Sequence, residues 1–598
     1  MLKELADYAE SHLTGSEPGF KSREIRWSAE LTHDGRFLNV VPLGDGKRGQ
    51  DLDRCPDMHN MNAGGRAHFL IESCQYATLL TKRDEEPDSK TIKRHAYYAK
   101  LLRQAASVVP TLVPLADFMS DPERVAKVRG ALQTHKAKPT DWITWHIGAA
   151  DPRDDQNVQH WWRDWRQTDI SSAAKPGKGA DRAGNPSPES TMRCLLTGKA
   201  IHPLSTHPKI TGLSGVGGLA MGDVMVGFDK ASFGSYGLDQ SANAAMDEEA
   251  VQRYADGLND LIRHHSRKLA NTLVAHWYKD SIAPSDDLFA LLMSMETDEQ
   301  TDASAQAAVR RLLDAIHSGE RTELGDNRYY ALTLSGAAGR VMVRDWMEGR
   351  FEDLAGHIAA WFADLAIVAR NGHALAQDPK FLAVCGALVR ELKDLPAPTA
   401  ATLWRVAVRG LQIPRSLMAQ ALARFRVEVI DKEQPAINHA RMGLMRAYFV
   451  RLTPGGDASM TAYLNPDHPA AAYHCGRLLA VFANLQRAAL GDVGAGVVQR
   501  YYAAFSQTPG LFLGRLSASA RNHLAKLDPK LAWWFENQLA EVMVRLSDGA
   551  PRILDLEGQG LFALGYYQQL AALRAGNRTD ATGSDSDVTK APAQGEQP

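Results

Sequence analysis

The chain is poor in cysteine. Five residues, Cys55, Cys74, Cys194, Cys385 and Cys475, are scattered through 598 positions. None forms a C-x-x-C pair, so neither a zinc knuckle nor a disulfide framework is indicated, and buried reduced thiols are expected. An apolar run of about 18 residues, the length of a membrane-crossing helix, is also missing; the best stretch, residues 358–369, is short and carries Asp364. The first residues lack the basic-then-apolar order of a signal peptide, so a cytoplasmic protein is expected. No Walker A sequence, G-x-S-x-G elbow or H-E-x-x-H pair occurs, which removes common signatures of nucleotide, serine-hydrolase and zinc-protease chemistry. An excess of positive charge is missing too: 68 Lys and Arg face 70 Asp and Glu, a net charge of −2. A freestanding nucleic-acid binder is usually basic, whereas a subunit touching DNA locally inside a complex can be neutral.

What is present is an α+β pattern. Residues 2–13 have helical spacing, with Leu2, Leu5, Ala6, Ala9 and Leu13 on one face. Two strand-like runs, 25–31 and 36–43, are joined by Asp34-Gly35, a favoured hairpin pair. A polar loop at 45–66 and an apolar-aromatic segment at 69–80 follow. Residues 82–103 mix seven basic with four acidic side chains and end in a helix bearing Tyr97, Tyr98, Leu101 and Leu102. Residues 171–191 read as a mobile loop, rich in Gly, Pro and Ser. Short glycine-bearing strands are expected up to Phe228. From Glu248 helices dominate, with one more strand pair at 329–334 and 340–344. The acidic run 286–302 reads as an exposed connection or helix surface.

The expected organisation is an N-terminal mixed α/β domain with an irregular antiparallel sheet at 1–350 and a helical connecting region at 351–459. An all-α bundle at 460–575 and a disordered polar tail at 576–598 complete it. In the bundle, Cys475, Leu478, Leu479, Phe482 and Leu485 share one helical face, and Phe535, Leu539, Val542 and Leu546 another. Pro509-Gly510 breaks the helices between them.

Three apparent catalytic signals are weak. Gly215-Val216-Gly217-Gly218-Leu219-Ala220 fits a loose dinucleotide pattern. A strand should precede that pattern and a helix follow it, whereas residues 221–228 read as strand. His33-Asp34 sits on a hairpin turn without further histidines at helical spacing. His264-His265 is followed by Ser266-Arg267-Lys268 and suits a basic helix end.

A stronger constellation runs from Cys194-Leu195-Leu196-Thr197-Gly198 through His207-Pro208-Lys209-Ile210-Thr211-Gly212. It continues to Phe228, Phe233-Gly234-Ser235-Tyr236-Gly237 and Asn243. Chemistry alone allows two accounts. Either Lys209, Lys230, Ser235, Tyr236 and Asn243 approach a phosphate backbone or base edge, or these are tight turns packed by aromatics.

The order C-x-x-T-G, I-x-G, S-Y-G and Asn243, together with Arg340-Val341-Met342-Val343-Arg344-Asp345-Trp346, carries a resemblance. So do His474-Cys475-Gly476-Arg477, Arg500-Tyr501-Tyr502 and the closing Gly558-Gln559-Gly560-Leu561-Phe562-Ala563-Leu564-Gly565-Tyr566-Tyr567. The chain resembles the large subunit of subtype I-C CRISPR surveillance (Cascade) complexes, the Csd type, over nearly its whole length. Ala245, where that family more often has proline, is a minor departure.

The resemblance implies a non-catalytic subunit, without cofactor or metal. Such a subunit recognises the protospacer-adjacent motif in double-stranded DNA, promotes R-loop formation and recruits a helicase-nuclease in antiviral defence. Its implied partners are target DNA and a complex of CRISPR RNA with backbone and 5′-handle-binding subunits. A small subunit translated internally from near Met460 is also implied, with Met442 and Met445 as alternative starts. By the resemblance, the reading element is the loop at 60–69. Asn60, Asn62 and Arg66 are expected to contact DNA, and Gly64 and Gly65 to let the backbone come close. Phe69, Leu70, Glu72 and Tyr76 follow the family pattern, while Ala63-Gly64-Gly65 departs from its Thr/Ser-Gly element. In the bundle, Arg477, Arg487, Arg500, Arg515, Arg521, Lys526 and Lys530 could track a displaced strand, with Tyr501 and Tyr502 stacking on bases. Two alternatives stand beside this. One is a nuclease or RNA-processing enzyme using His33, Asp34 or His202 and His207; the other is a structural scaffold.

Overall fold

The computed structural model describes the chain except residues 14–16, 46–47, 59–64, 83–84, 174–190, 237, 239, 294–304, 431–437, 454, 492, 494 and 583–598. It divides into two compact units. The first comprises Met1–Gly212 and Ala220–Arg263, the second Leu213–Leu219 and His264–Pro598.

In the first unit the Asp34-Gly35 signal is realised as a hairpin. Gly35 N–H donates to the Thr32 carbonyl (2.9 Å), and Trp27–Leu31 pairs antiparallel with Phe37–Pro42. On its other side Trp27–Leu31 runs parallel to Trp142–Ile147, which in turn pairs with the short strand Glu72–Ser73. The sheet is therefore mixed rather than purely antiparallel. A crossover containing helices Ser89–Ala106, Val113–Met119 and Pro122–Thr134 makes the parallel pairing possible. Those helices cover the sheet with Tyr98, Leu101, Leu102, Phe118 and Val128, which are buried against Trp145 and Ile143. Two of the polar aromatic tips in this core are satisfied in one chain of bonds. Trp145 Nε1–H donates to the Tyr98 hydroxyl (2.8 Å), which donates to the Leu70 carbonyl (2.7 Å).

Helix Ser89–Ala106 starts at Asp88, whose side chain accepts from Thr91 N–H at 2.6 Å. The first helix, Leu2–His12, buries Leu5, Tyr8 and Ala9, and Tyr8 donates to Asp260 (2.8 Å) on helix Glu248–His264. The glycine-bearing stretch ending at Phe228 holds less sheet than expected. Met192–Arg193 pairs with Ala200–Ile201, and residues 221–228 contribute isolated bridging, such as Ile210 to Asp223, in place of a strand. The glycines and their left-handed turns interrupt any longer ladder.

The second unit opens on an antiparallel meander of Ser266–Leu269, Thr272–Tyr278, Arg328–Ala337 and Arg340–Arg350. The first two strands follow directly on the helix end at His264, where the basic run had indicated only that end. The dinucleotide-like glycines serve this sheet. A Cβ on Gly217 would lie 2.8 Å from the Gly336 carbonyl oxygen, and one on Gly336 would lie 2.1 Å from Gly218 Cα. Side chains are excluded there because two backbones meet, not because a phosphate does. Asp286, in the acidic run expected to be exposed, is buried and paired with Arg321 (2.8 Å). Asp287 receives His276 and Tyr278, both at 3.0 Å. The part of that run at 294–302 lies outside the described residues.

The meander shares one core with the helices that follow, from Leu269 through Trp361, Trp404 and Leu478 to Leu573. The division at 350 expected from the change to helical periodicity therefore falls inside a unit, and the compact boundary lies at Arg263–His264. The R-V-M-V-R-D-W segment fastens strand to helix. Asp345 accepts from Arg405 Nε (2.7 Å) and Arg409 donates to the Trp346 carbonyl (3.0 Å). The closing helix, Leu556–Thr582, passes the expected end at 575. Its glycines are where neighbours touch: a Cβ on Gly560 would meet Met418 Cε at 2.0 Å, and one on Gly565 the Tyr473 carbonyl oxygen at 2.1 Å. Its glutamines join the same seam. Gln568 accepts from Tyr473 Oη (2.5 Å) and donates to the Thr461 carbonyl (2.9 Å), while Gln569 accepts from Arg477 Nε (2.8 Å). Among the described residues, no helix is long and apolar enough to cross a membrane.

Candidate nucleic-acid interface

The C-x-x-T-G element is a tight turn between the two short strands. Gly198 N–H donates to the Cys194 carbonyl and Cys194 N–H to the Lys199 carbonyl, both at 2.9 Å. Burial alone would raise the Cys194 thiol pKa. The Thr197 hydroxyl and the amides of Leu196, Thr197 and Asp247 outweigh that and lower it. The hairpin is tied to the segment carrying Asn243 through Leu195 N–H to Ala245 O and Leu204 N–H to Met246 O, each 2.9 Å.

Asn243 in turn shapes the loop before it. Its Oδ1 accepts from Ser235 N–H (3.0 Å), and its amide nitrogen donates to the carbonyls of Leu238 (3.1 Å) and Gln240 (2.9 Å). That uses both amide protons and the oxygen, so Asn243 positions the loop rather than reaching outward. The product is Tyr236, 99% exposed and held at φ +52°. A bulky non-glycine residue in the left-handed region is strained, and a fully exposed tyrosine recovers nothing by packing. Phe233 in the same loop is 40% exposed, and Lys209, Lys230 and Ser235 are exposed.

The second predicted element is the loop before Phe69. Asn60, Asn62 and Gly64 lie outside the described residues; its two anchors do not. Met58 N–H donates to His68 Nδ1 (3.1 Å), and the buried Glu72 carboxylate accepts from His68 N–H and Ser73 N–H, both at 2.7 Å. Burial lowers the His68 pKa to about 3, so the ring is neutral and Nδ1 is free to accept. The hydrogen bond thus ties Met58 to His68, ten residues on. Only Glu72 was legible in the sequence, and without its role. Gly65 adopts φ +85°. Arg66 forms a two-pronged pair with Asp169 (2.6 and 3.2 Å) at the end of the loop. Its side chain is 20% exposed.

The bundle sorts its candidates by burial. Arg487, Arg500, Arg515, Arg521, Lys526 and Lys530 are exposed, and among the described residues none of them forms an ion pair. On helix Pro509–Leu524, the exposed Gly514, Arg515, Ala518, Arg521 and Asn522 recur at helical spacing and make one face without a carboxylate. Arg477 does not belong with them. It is 1% exposed and bonded to Gln569, Glu541 (2.8 Å) and the Pro466 carbonyl (3.2 Å), a cross-link between helices out of reach of a strand. Tyr502 is likewise buried, edge-on to Phe425, Phe562 and Tyr566, and cannot stack on a base. Tyr501 is half-buried beside Phe512. The sequence showed helical faces, but a basic residue on the apolar side of a helix is indistinguishable from a solvent-facing one until its partners are in place.

The residues of the enzyme alternative are dispersed. His33 lies over Gly148, and Asp34 pairs with Arg36 (2.9 Å) on the hairpin turn. His202 is exposed, and His207 is buried with its Nδ1 2.7 Å from the Tyr254 hydroxyl. Among the described residues, no three His, Cys, Asp or Glu side chains are grouped to hold a metal ion.

The family described as CRISPR-associated protein (Cas_Csd1) matches residues 3–574. The chain belongs to this CRISPR-associated family. The match spans both compact units, so the Tyr236 tip, the Met58–His68 anchor and the helical unit all lie within the matched residues. No curated protein matches the sequence.

Proposed function

We propose that this family member is the non-catalytic large subunit of a type I-C Cascade complex. It would act in the cytoplasm in antiviral defence, reading the protospacer-adjacent motif in double-stranded DNA and starting R-loop formation. Base pairing to the guide reads the long target, so the protein need read only a short flank. The observation that carries the proposal is Tyr236. An aromatic ring is held wholly in solvent on a left-handed backbone by an asparagine with no amide group left over. Such strain at an exposed tip is what a contact to an external partner would repay. Gly65, beside the Met58–His68 anchor, supplies a second approach to the duplex. The exposed cations Arg487, Arg500, Arg515, Arg521 and Lys526 are suited to the displaced strand. In this reading the helicase-nuclease is recruited by the assembled complex. A small subunit started near Met460 would carry the helices from Ala471–Leu490 to Leu556–Thr582.

The test is target binding by the guide-RNA complex assembled with and without this chain, on duplexes with intact and scrambled flanking motifs at fixed salt. Discrimination that depends on the chain supports motif reading. Equal binding in its absence overturns that reading and favours a scaffold. Cleavage by the purified chain, abolished by His33→Ala or His207→Ala, would mark an enzyme.

A further inference from the structure

The basic run at 82–103 is carried largely by one helix. Its second half forms helix Ser89–Ala106, which contains Lys90, Lys93, Arg94, Lys100 and Arg103 and no carboxylate. The buried face of that helix, with Tyr98, Leu101, Leu102 and Ala105, fixes the rotation. Lys93, Ala96, Lys100, Arg103 and Ser107 are consequently exposed together, at the three-to-four spacing of a single stripe. Lys93 and Arg103 are ten residues apart, about 15 Å along the axis.

The stripe borders an open cleft of about 560 Å³ lined by His95, Lys100, Arg103, Gln104, Ser107 and Ser120, with no acidic residue in its lining. Arg103 is steadied by a hydrogen bond to Ser120 Oγ, itself bonded to the Ala116 carbonyl at 2.8 Å. His95 adds no charge. Burial, with a smaller push from Arg129, lowers its pKa, and its Nδ1–H donates to the Tyr76 carbonyl (3.0 Å). Among the described residues Lys93 and Lys100 form no ion pair. The other end of the stripe meets the predicted reading loop: a Cβ built on Gly65 would lie 3.8 Å from Lys93 Cβ.

We infer that this face is a phosphodiester-backbone site, which holds the duplex DNA flanking the motif by three contacts from Lys93, Lys100 and Arg103. The inference rests on the DNA-recognition reading above and assigns the loop's neighbour the task of register rather than of sequence. Small residues in the stripe and beside it in the cleft, Ala96 and Ala99, leave room for a sugar-phosphate strand. The cations on one side, with no carboxylate on the helix or in the cleft lining, supply the sign of charge it needs. Contacts of this kind carry no base information, so they strengthen right and wrong flanks alike.

The experiment uses the full guide-RNA complex carrying Lys93→Gln, Lys100→Gln and Arg103→Gln together. Target affinity is measured from 50 to 200 mM salt on duplexes with intact and scrambled motifs. Loss of three phosphate contacts should flatten the log–log salt dependence by about 2.7, or 0.9 per contact. The wild-type complex then loses about 40-fold more affinity over that range than the variant, equally on both duplexes, with the discrimination ratio unchanged. The charge-keeping set Lys93→Arg, Lys100→Arg and Arg103→Lys should retain the wild-type slope. An unchanged slope in the glutamine variant overturns the site while leaving motif reading intact. So does a normal DNA slope with poor guide-RNA incorporation, which would mark the face as an RNA contact. Failure of the wild-type complex to discriminate motifs is the separate outcome that removes the parent reading.

Discussion

Gly476 lies against the carbonyl oxygen of Phe562, which a Cβ at position 476 would approach to 1.9 Å. One helix of the second unit thus crosses the closing helix with backbone on backbone, and Gly565 repeats the arrangement against Tyr473. Gly476→Ala should cost about 3 kcal/mol, because neither helix can retreat without opening the core around Phe482 and Tyr567. Gly514→Ala, in an exposed helix with nothing within 4 Å of the added carbon, should gain about 1 kcal/mol. Thermal melts of the two variants should therefore move in opposite directions.

Arg477 should behave as a core residue. Arg477→Ala removes charged hydrogen bonds to Gln569, Glu541 and the Pro466 carbonyl and should lower stability by about 2–3 kcal/mol. Arg500→Glu with Arg521→Glu, both on exposed positions, should leave the melting temperature within about 1–2 °C and instead shorten R-loop lifetime with motif preference kept. Parallel melting and R-loop decay measurements separate the two cases.

At Tyr236, stability and the proposed function should pull in opposite directions. Tyr236→Gly should stabilise the protein by about 1 kcal/mol through relief of its left-handed backbone, since an exposed ring forfeits no packing. The same change should weaken target binding by the assembled complex. A stabilised variant with unaltered binding would remove the tyrosine from the interface.

Asn243→Asp keeps the acceptor for Ser235 N–H and loses the two donations to Leu238 and Gln240. Motif discrimination should fall while the global melting transition stays within a few degrees. Asn243→Gln should not rescue it, because the longer side chain cannot place three bonds on the same loop.

Burial lowers the His207 pKa to about 4 from its ordinary value of 6.5. Between those values the unfolded chain binds a proton that the folded chain refuses, so acid favours unfolding. Stability should be level above pH 6.5 and fall as the pH drops from 6.5 to 4. His207→Gln should flatten that slope in denaturant titrations at pH 7 and pH 5. His468 in the second unit is shifted the same way, also to about 4, so part of the slope should persist.

Much of the fold was legible because its signals are local. The Asp34-Gly35 hairpin, the first helix, the strand pair around Tyr329 and Arg340, and the apolar faces of the bundle all follow from spacing along one element. What was not legible depends on partners far away in sequence. Trp27–Leu31 pairs in parallel with a strand more than a hundred residues on, and no periodicity announces that. The strands Ser266–Leu269 and Thr272–Tyr278 were hidden behind a basic run read only as a helix end. At the candidate interface, the S-Y-G segment was marked by its residue types, whereas the division of labour between Asn243 and Tyr236 appears only once the hydrogen bonds are placed. Arg477 and Tyr502 looked like surface groups for the same reason, since motif membership does not say which way a side chain faces.

The seam between the closing helix and the rest of the second unit also fixes an order of events in the cell. Val274 and Phe562 belong to one core but are synthesised 288 residues apart, an interval of roughly 15–60 s at ordinary elongation rates. Throughout that wait the meander and the middle helices lack the surface that covers them, while the first unit already has all of its strands. The ribosome thus delivers a finished N-terminal half tethered to an unfinished one, and nascent-chain holding factors have their longest opportunity on the second.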